Sequence, residues 1–277
     1  LSDMALEYPD IKEIDINPLI AKPDGRLVAV DGLVILEKEQ PVKKSIPVDI
    51  NQLASCYYPS SIAFVGASAT LGKWGHLLTT STLSAGYEGQ VFFVNPKGGK
   101  IYGKDVYKRI EEIDADIDLA VVTIPAEHVI GLIPELEKKH VKGMLLITSG
   151  FREVGADGAA LEDELVAAAR KAGILILGPN TMGACNPHAR FYCTASSAYP
   201  LPGSTTLVCQ SGNMGTQLLS FAEQQDIGIR AYSGSGNEAM VTVEDYMESF
   251  EIDELTKTVV LYVESVKDGS RFFNSAR

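Results

Sequence analysis

Two stretches of this sequence combine small residues with polar atoms in a way suited to cradling phosphate. In the first, Ser61-Ile62-Ala63-Phe64-Val65-Gly66-Ala67-Ser68 runs on through Leu71-Gly72-Lys73-Trp74-Gly75. An apolar run ends in glycine, a loop of small residues follows, and a helix is expected over His76–Ala85. Glycines let backbone approach a pyrophosphate, and a helix start offers free N–H groups and a positive dipole end. In the second, Thr205-Thr206-Leu207-Val208-Cys209 leads into Gln210-Ser211-Gly212-Asn213-Met214-Gly215, with a helix expected over Thr216–Gln224. A capped helix start is the plain account of that loop. The sharper one is a phosphoryl group held on its N–H groups with the Ser211 hydroxyl.

The end of the strand Gln90-Val91-Phe92-Phe93-Val94 narrows the ligand of the first stretch. An NAD-binding unit needs a carboxylate there to accept from the ribose diol. This chain offers Asn95-Pro96-Lys97. A lysine suits a phosphorylated ribose, either the 2′-phosphate of NADP or the 3′-phosphate of coenzyme A, and the competing role for Lys97 is a solvated loop cation. Glu264 follows Val259-Val260-Leu261-Tyr262-Val263, read as a buried strand, so its carboxylate belongs on the ligand side of a sheet or simply faces water. Arg152 and Glu153 suit a surface ion pair as well as a ligand role. Asp15, Asn17 and Asp31 carry the oxygens that Mg²⁺ accepts beside nucleotide phosphates, or are surface polar residues of a hairpin. No catalytic acid–base pair is evident.

These residues need strands and helices to hold them. Ile14–Leu19 and Leu27–Leu36 read as two strands joined through the turn Lys22-Pro23-Asp24-Gly25. The charged, proline-marked residues from Glu37 to Pro47 read as a linker. Apolar strands at Ile62, Val91, Leu119–Ile124, Gly143–Ile147 and Ile174–Leu177 then alternate with helices, the later ones expected over Glu127–Lys139 and Leu161–Ala172. That alternation specifies a doubly wound parallel sheet, whose ligands sit beyond the C-terminal strand ends. The loops there are Gly66–Ser68, Asn95–Lys97, Ile124-Pro125-Ala126, Thr148–Glu153 and Gly178-Pro179-Asn180-Thr181. Their small residues, prolines and hydroxyls suit a flat adenine and a long pantetheine arm. A second unit begins after Pro200-Leu201-Pro202-Gly203.

The net charge of −12 argues against nucleic acid or an anionic membrane as the main partner. A local basic patch, Lys97, Lys100, Lys104, Lys108 and Arg109, stands against that balance. No apolar run is long enough to span a bilayer. The four cysteines, Cys56, Cys185, Cys193 and Cys209, lack metal-ligand spacing and suit a reducing cytoplasm. The chain opens on Leu1 inside what reads as a helix tail and closes on an unfinished helical pattern, so a fragment of a longer protein is expected.

In order, Ile62–Ser68 with Gly72-Lys73 and Gly75, Val94-Asn95-Pro96-Lys97, Asp118-Leu119-Ala120-Val121 through Ile124-Pro125-Ala126, Ser149-Gly150-Phe151-Arg152-Glu153, Gly178-Pro179-Asn180 and Gln210-Ser211-Gly212 resemble the NDP-forming acyl-CoA synthetases. The opening Glu13–Leu19 and Val28–Asp31 look like the closing hairpin of that family's ATP-grasp domain. The resemblance implies an ATP-grasp hairpin over 1–37, a linker over 38–49, a Rossmann-like CoA-binding domain over 50–185, and a truncated flavodoxin-like α/β CoA-ligase domain over 186–277. It implies interconversion of acyl-CoA, ADP and phosphate with carboxylic acid, coenzyme A and ATP, through an acyl phosphate and a phosphorylated histidine. By the same carry-over Gly66, Ser68, Lys73, Asn95, Pro96, Lys97, Ile124, Pro125, Ser149 and Asn180 would bind coenzyme A. Ser211, Gly212 and Asn213 would form the phosphoryl loop, Glu264 would steady the histidine, and Asn17 and Asp31 would hold Mg²⁺ with ATP or ADP.

None of His76, His128, His140 or His188 stands in the histidine motif, which the resemblance places beyond Arg277. Thr181 stands where many relatives have cysteine. The implied partners are a small carboxylic acid, the rest of an ATP-grasp domain or subunit, and further copies in an oligomer. The competing functions are a non-catalytic CoA-binding regulatory module and an NADP-dependent oxidoreductase, for which no acid–base residue is found.

Overall fold

A computed structural model describes residues 2–8, 10–36 and 46–277. They fall into two compact units, one drawn from Leu1–Lys44 and the other from Ser45–Arg277. The linker expected over 38–49 lies largely outside the described residues.

The first unit holds helix α1 (Ser2–Glu7) and strands β1 (Ile11–Asp15), β2 (Leu19–Ala21), β3 (Leu27–Ala29) and β4 (Leu33–Leu36). β2 and β3 pair around the Lys22–Arg26 turn, where Gly25 takes φ +82°. β1 and β4 pair outside them, with Asp15 opposite Leu33. The two long strands expected here are therefore four short ones. Pro18 has no N–H to give a ladder, and Asp31 accepts from the Gly32 N–H at 2.8 Å, which turns the chain between β3 and β4.

The second unit begins with α2 (Ile50–Ser55), started by Asp49, whose carboxylate accepts from Asn51 N and Gln52 N. β5 (Ser61–Val65), α3 (Trp74–Ser84), β6 (Gln90–Val94), β7 (Lys100–Ile101), β8 (Lys104–Tyr107), β9 (Leu119–Val122), α4 (Ala126–Lys138), β10 (Gly143–Leu146), α5 (Ala156–Ala172) and β11 (Leu175–Leu177) follow. Their sheet has the order β11-β10-β9-β5-β6-β8-β7, parallel except for the edge strand β7. β5 and β9 are buried at every residue, as continuous apolar runs require in a sheet covered on both faces. The chain passes from β5 to β6 on one side and later to β9 on the other. This reversal opens a crevice at the C-terminal end of β5.

A second sheet comprises β12 (Gly183–Asn186), β13 (Phe191–Thr194), β14 (Pro202–Cys209), β15 (Ile229–Gly234) and β16 (Thr258–Tyr262), with helices α6 (Gly212–Gln224), α7 (Val243–Glu251) and α8 (Gly269–Ser275). Its order is β13-β12-β15-β14-β16, with β14 parallel to both neighbours and β12 antiparallel to both of its own. The strand expected to be buried before Glu264 is β16, and it is half-exposed because it forms the sheet edge beside β14 alone. The second sheet packs on the first through α3: Ser81 Oγ and Thr82 Oγ1 donate to Tyr192 O at 2.9 and 3.2 Å. Among the described residues no helix is long and apolar enough to cross a membrane.

Candidate functional site

At the end of β5 the chain turns at Gly66 with φ +95°. A Cβ there would meet Thr123 Oγ1 at 2.6 Å, and one on Gly75 would meet Gly66 O at 2.2 Å. Glycine at both positions thus lets α3 start tight against the β5 turn, two residues earlier than the sequence pattern places it. Lys73 occupies the N-cap of α3 without a side-chain cap bond, so first-turn N–H groups remain open to a ligand.

The loop after β6 is stapled to this turn. Asn95 Nδ2 donates to Ala67 O at 2.9 Å, and Asn95 Oδ1 accepts from Lys97 N at 3.0 Å. The Asn95 amide is therefore used to build the loops. Around them lies a groove of about 730 Å³ lined by Gly66, Ser68, Gly72, Lys73, Asn95, Lys97, Ile124 and Pro125 among others. Pro96 does not line it. No carboxylate among the described residues pairs with Lys73 or Lys97, whereas Lys100 lies 3.6 Å from Asp105 and Arg109 pairs with Glu111 and Glu135. Of the basic patch, Lys97 and Lys100 line the groove.

Trp74, Thr123, Ile124 and Pro125 are shared with a second stretch of about 510 Å³, lined further by Ser149, Asn180, Ser211, Gly212 and Glu264. Thr148 Oγ1 donates to Ile124 O at 2.7 Å, which ties the β10 loop to the β9 loop. Ser211 caps α6, its Oγ accepting from Met214 N at 3.4 Å. Gly212 admits Met182, whose Cγ would lie 2.3 Å from a Cβ. Asn213 is exposed and is not among the lining residues.

Gln210, which the sequence reading did not single out, holds the Glu264 loop. Its Oε1 accepts from Glu264 N and Ser265 N at 2.6 and 2.8 Å, and its Nε2 donates to Ser265 O at 2.7 Å. Met182 also lines this stretch, brought there by tertiary packing with no local motif to mark it, whereas Trp74 and Thr181 stand inside stretches that the sequence already places at the ligand end of the sheet.

Arg152 and Glu153 do not pair with each other. Arg152 binds Glu162 at 2.8 Å and Asp163 at 2.6 Å. Glu153 accepts from Gly150 N, Phe151 N and Asn237 Nδ2. Partial burial pushes the Glu153 carboxyl up, but hydrogen bonds from Asn237 and these backbone groups outweigh it and hold the carboxyl below its ordinary value. No histidine lines the Ser211 and Glu264 stretch. His76 Nδ1 meets Tyr102 OH at 3.1 Å and His188 Nε2 meets Gly203 O at 2.9 Å.

Asn17 and Asp31 sit in the first unit, flanking the hydrogen bond from Val30 N to Pro18 O. Among the described residues no cluster of three or more His, Cys, Asp or Glu could hold a metal ion. One carboxylate and one amide fit Mg²⁺ only as a minority of its ligands, with phosphate oxygens and water completing it.

Residues 60–187 match the model of a CoA binding domain, and residues 202–277 match that of a succinyl-CoA ligase like flavodoxin domain. The chain belongs to the NDP-forming acyl-CoA synthetase family. Acetate–CoA ligase [ADP-forming] I subunit alpha of Pyrococcus furiosus is 39% identical to this synthetase-family chain over 229 residues, 81% of this chain and 50% of the relative. Acetate–CoA ligase [ADP-forming] II of Archaeoglobus fulgidus is 32% identical, over 98% of this chain and 40% of its own length. The dinucleotide forming acetyl-coenzyme A synthetase 1 of Ca. Korarchaeum cryptofilum, solved with phosphate and ADP, superposes with a TM-score of 0.77 at 33% identity, over 82% of this chain and 48% of that one. The synthetase-family chain thus spans about half the length, or less, of these relatives. Its first sheet is the Rossmann-like CoA-binding fold and its second the flavodoxin-like ligase fold.

Proposed function

We propose that this chain binds coenzyme A along the groove and forms the CoA and phosphoryl-handling part of an ADP-forming acid–thiol ligase. The observation that supports this reading best is the continuity of the groove from Lys97 to Glu264. In it Lys97 and Lys73 take the phosphates of the nucleotide end, Ser68 and the turn at Gly66 approach the pyrophosphate, and Ile124, Pro125 and Ser149 line the pantetheine arm. The thioester end then reaches Ser211 and Gly212, whose N–H groups and hydroxyl stabilise a phosphoryl group.

Phosphate displaces the thiol from acyl-CoA to give acyl phosphate and coenzyme A. The acyl phosphate passes its phosphoryl group to a histidine, releasing the carboxylic acid, and ADP takes it up as ATP. That histidine is none of the four in this chain, and Glu264 holds its imidazole. An ATP-grasp body, whose closing hairpin is residues 1–37, binds ADP with Mg²⁺ that Asn17 and Asp31 help to hold. After a linker over 38–49, the CoA-binding domain over 50–185 and the ligase domain over 186–277 complete a cytoplasmic, oligomeric enzyme for a small carboxylic acid.

The test is calorimetric titration of the chain and of Lys97→Ala with coenzyme A, dephospho-CoA and NADP. Coenzyme A is expected to bind, and both removal of its 3′-phosphate and removal of the lysine are expected to weaken binding about tenfold, the value of one charge-assisted contact. Binding of NADP in place of coenzyme A would refute the reading.

A further inference from the structure

A hydrogen-bonded chain of side chains joins the loops at the ligand ends of the two sheets. Asn237, after β15, sends Nδ2 to Glu153 Oε2 at 2.5 Å and to Glu162 Oε2 at 3.0 Å. Its Oδ1 accepts from Asn180 Nδ2 at 3.2 Å. Ionised carboxylates only accept hydrogen bonds, so the Asn237 NH₂ must face Glu153 and Glu162, and both of its protons are used. Its carbonyl oxygen is then the atom that faces Asn180. Asn180 must answer with its own NH₂. The direction of every amide in the chain therefore follows from the two carboxylates at its far end. Glu162 is buried, and Arg152 holds it on its other oxygen.

The backbone beneath is fixed independently of these side chains. Asn237 N donates to Pro179 O at 2.9 Å, Ala239 N to Gly178 O at 3.1 Å, and Asn180 N to Thr148 O at 2.9 Å. Gly236 lies so close that a Cβ would meet Pro179 O at 2.1 Å. Asn180 itself takes φ +58°, a conformation asparagine and glycine tolerate. Among the described residues no donor reaches Asn180 Oδ1, and Asn180 lines the stretch of groove that holds Ser211, Gly212 and Glu264.

We infer that Asn237 is a positioning residue that turns the Asn180 carbonyl oxygen to the groove, where it accepts a hydrogen bond from an N–H or S–H donor at the thiol end of the pantetheine arm. The inference rests on the coenzyme A reading above. An acceptor at that place favours the cysteamine amide N–H or the protonated thiol and opposes a resting thiolate, whose sulfur would meet the Asn180 oxygen as a second acceptor.

The test measures binding of coenzyme A and of adenosine 3′,5′-bisphosphate, which lacks the arm, to the chain and to Asn180→Gly, Asn237→Ser and the double variant. Glycine keeps the backbone of residue 180 unstrained, so loss of fold does not intervene. Each single variant is expected to weaken coenzyme A about 3- to 10-fold, the value of one neutral hydrogen bond, and to leave the bisphosphate unchanged. The double variant is expected to bind coenzyme A no more weakly than Asn180→Gly, because Asn237 acts through Asn180.

Additive losses, or equal losses for both ligands, or no loss, would overturn the inference while leaving the coenzyme A reading intact. Wild-type chain that binds the bisphosphate and not coenzyme A would overturn that reading itself. Desulfo-CoA identifies the donor: with it, Asn180→Gly costs nothing if the donor is the thiol and keeps its cost if it is the amide.

Discussion

At the end of β5 the turn into α3 is made by backbone, with Gly66 at φ +95°, Gly75 pressed on Gly66 O, and a helix start that no side chain caps. At the end of β14 the turn into α6 is held by side chains, Ser211 on Met214 N and Gln210 on the Glu264 loop. The two ends also differ in how completely their polar groups are satisfied. The buried side-chain atoms without a hydrogen-bond partner among the described residues are Tyr232 OH, Ser235 Oγ, both Glu238 oxygens and Glu244 Oε2, all in the second sheet, the loop after β15 and α7. An end built from glycine and backbone leaves donors for a ligand and has little to adjust. An end built from side chains can be reset by a single substitution, and it carries buried groups whose desolvation opposes folding.

The widest separation between the two ends should come from steric substitutions at the first. Gly75→Ala is expected to cost about 3 kcal/mol or more, because its Cβ meets fixed backbone. Gly72→Ala meets nothing within 4 Å and should cost only about 1 kcal/mol for its positive φ. Equal costs in urea unfolding would show that the β5 turn can relax. At the second end, Gln210→Ala removes three partly exposed hydrogen bonds and should cost about 1–2 kcal/mol. Amide exchange at Glu264 and Ser265 is expected to accelerate, and unchanged protection there would mean that something other than Gln210 holds the loop.

The smallest effect expected has the opposite sign. Burial, with the nearby Glu244, raises the Glu238 carboxyl above its ordinary value. An acid whose folded value is raised loses stability for the protein as pH climbs from the ordinary carboxylate range through that raised value. Glu238→Gln should therefore stabilise the chain at pH 7 by on the order of 1 kcal/mol, with the gain vanishing as pH falls below about 4. A gain that persists in acid would point to packing as its source. Thermal melts of both proteins across that range separate the two.

The central strands of the first sheet were legible because β5, β6, β9, β10 and β11 are apolar runs bounded by glycine and proline. β7 and β8 were not, since Lys100-Ile101 and Lys104-Asp105-Val106-Tyr107 are short, polar edge strands that only pairing defines. β12 escaped as well, because Gly183-Ala184-Cys185-Asn186 has neither length nor alternation and owes its strand to neighbours on both sides. At the groove, the loops holding Lys97, Ser149, Asn180 and Ser211 could be placed from strand ends. The work of Gln210 and Asn237 could not, because their partners lie 54 and 84 residues away along the chain. Pro96 and Asn213 show the converse: adjacency to a lining residue does not make a lining residue.

All four cysteines are buried, and burial pushes the Cys56 and Cys193 thiols up to about 12 and the Cys209 thiol up to about 11. Cys56 presses on Gly143 of the first sheet, while Cys209 ends the strand that feeds the Ser211 turn. A thiol reagent attacks the thiolate and needs access to it. Each sulfur can therefore react only while its own surroundings are open, so the labelling rates of Cys56 and Cys209 are native clocks for how often each half of the molecule breathes.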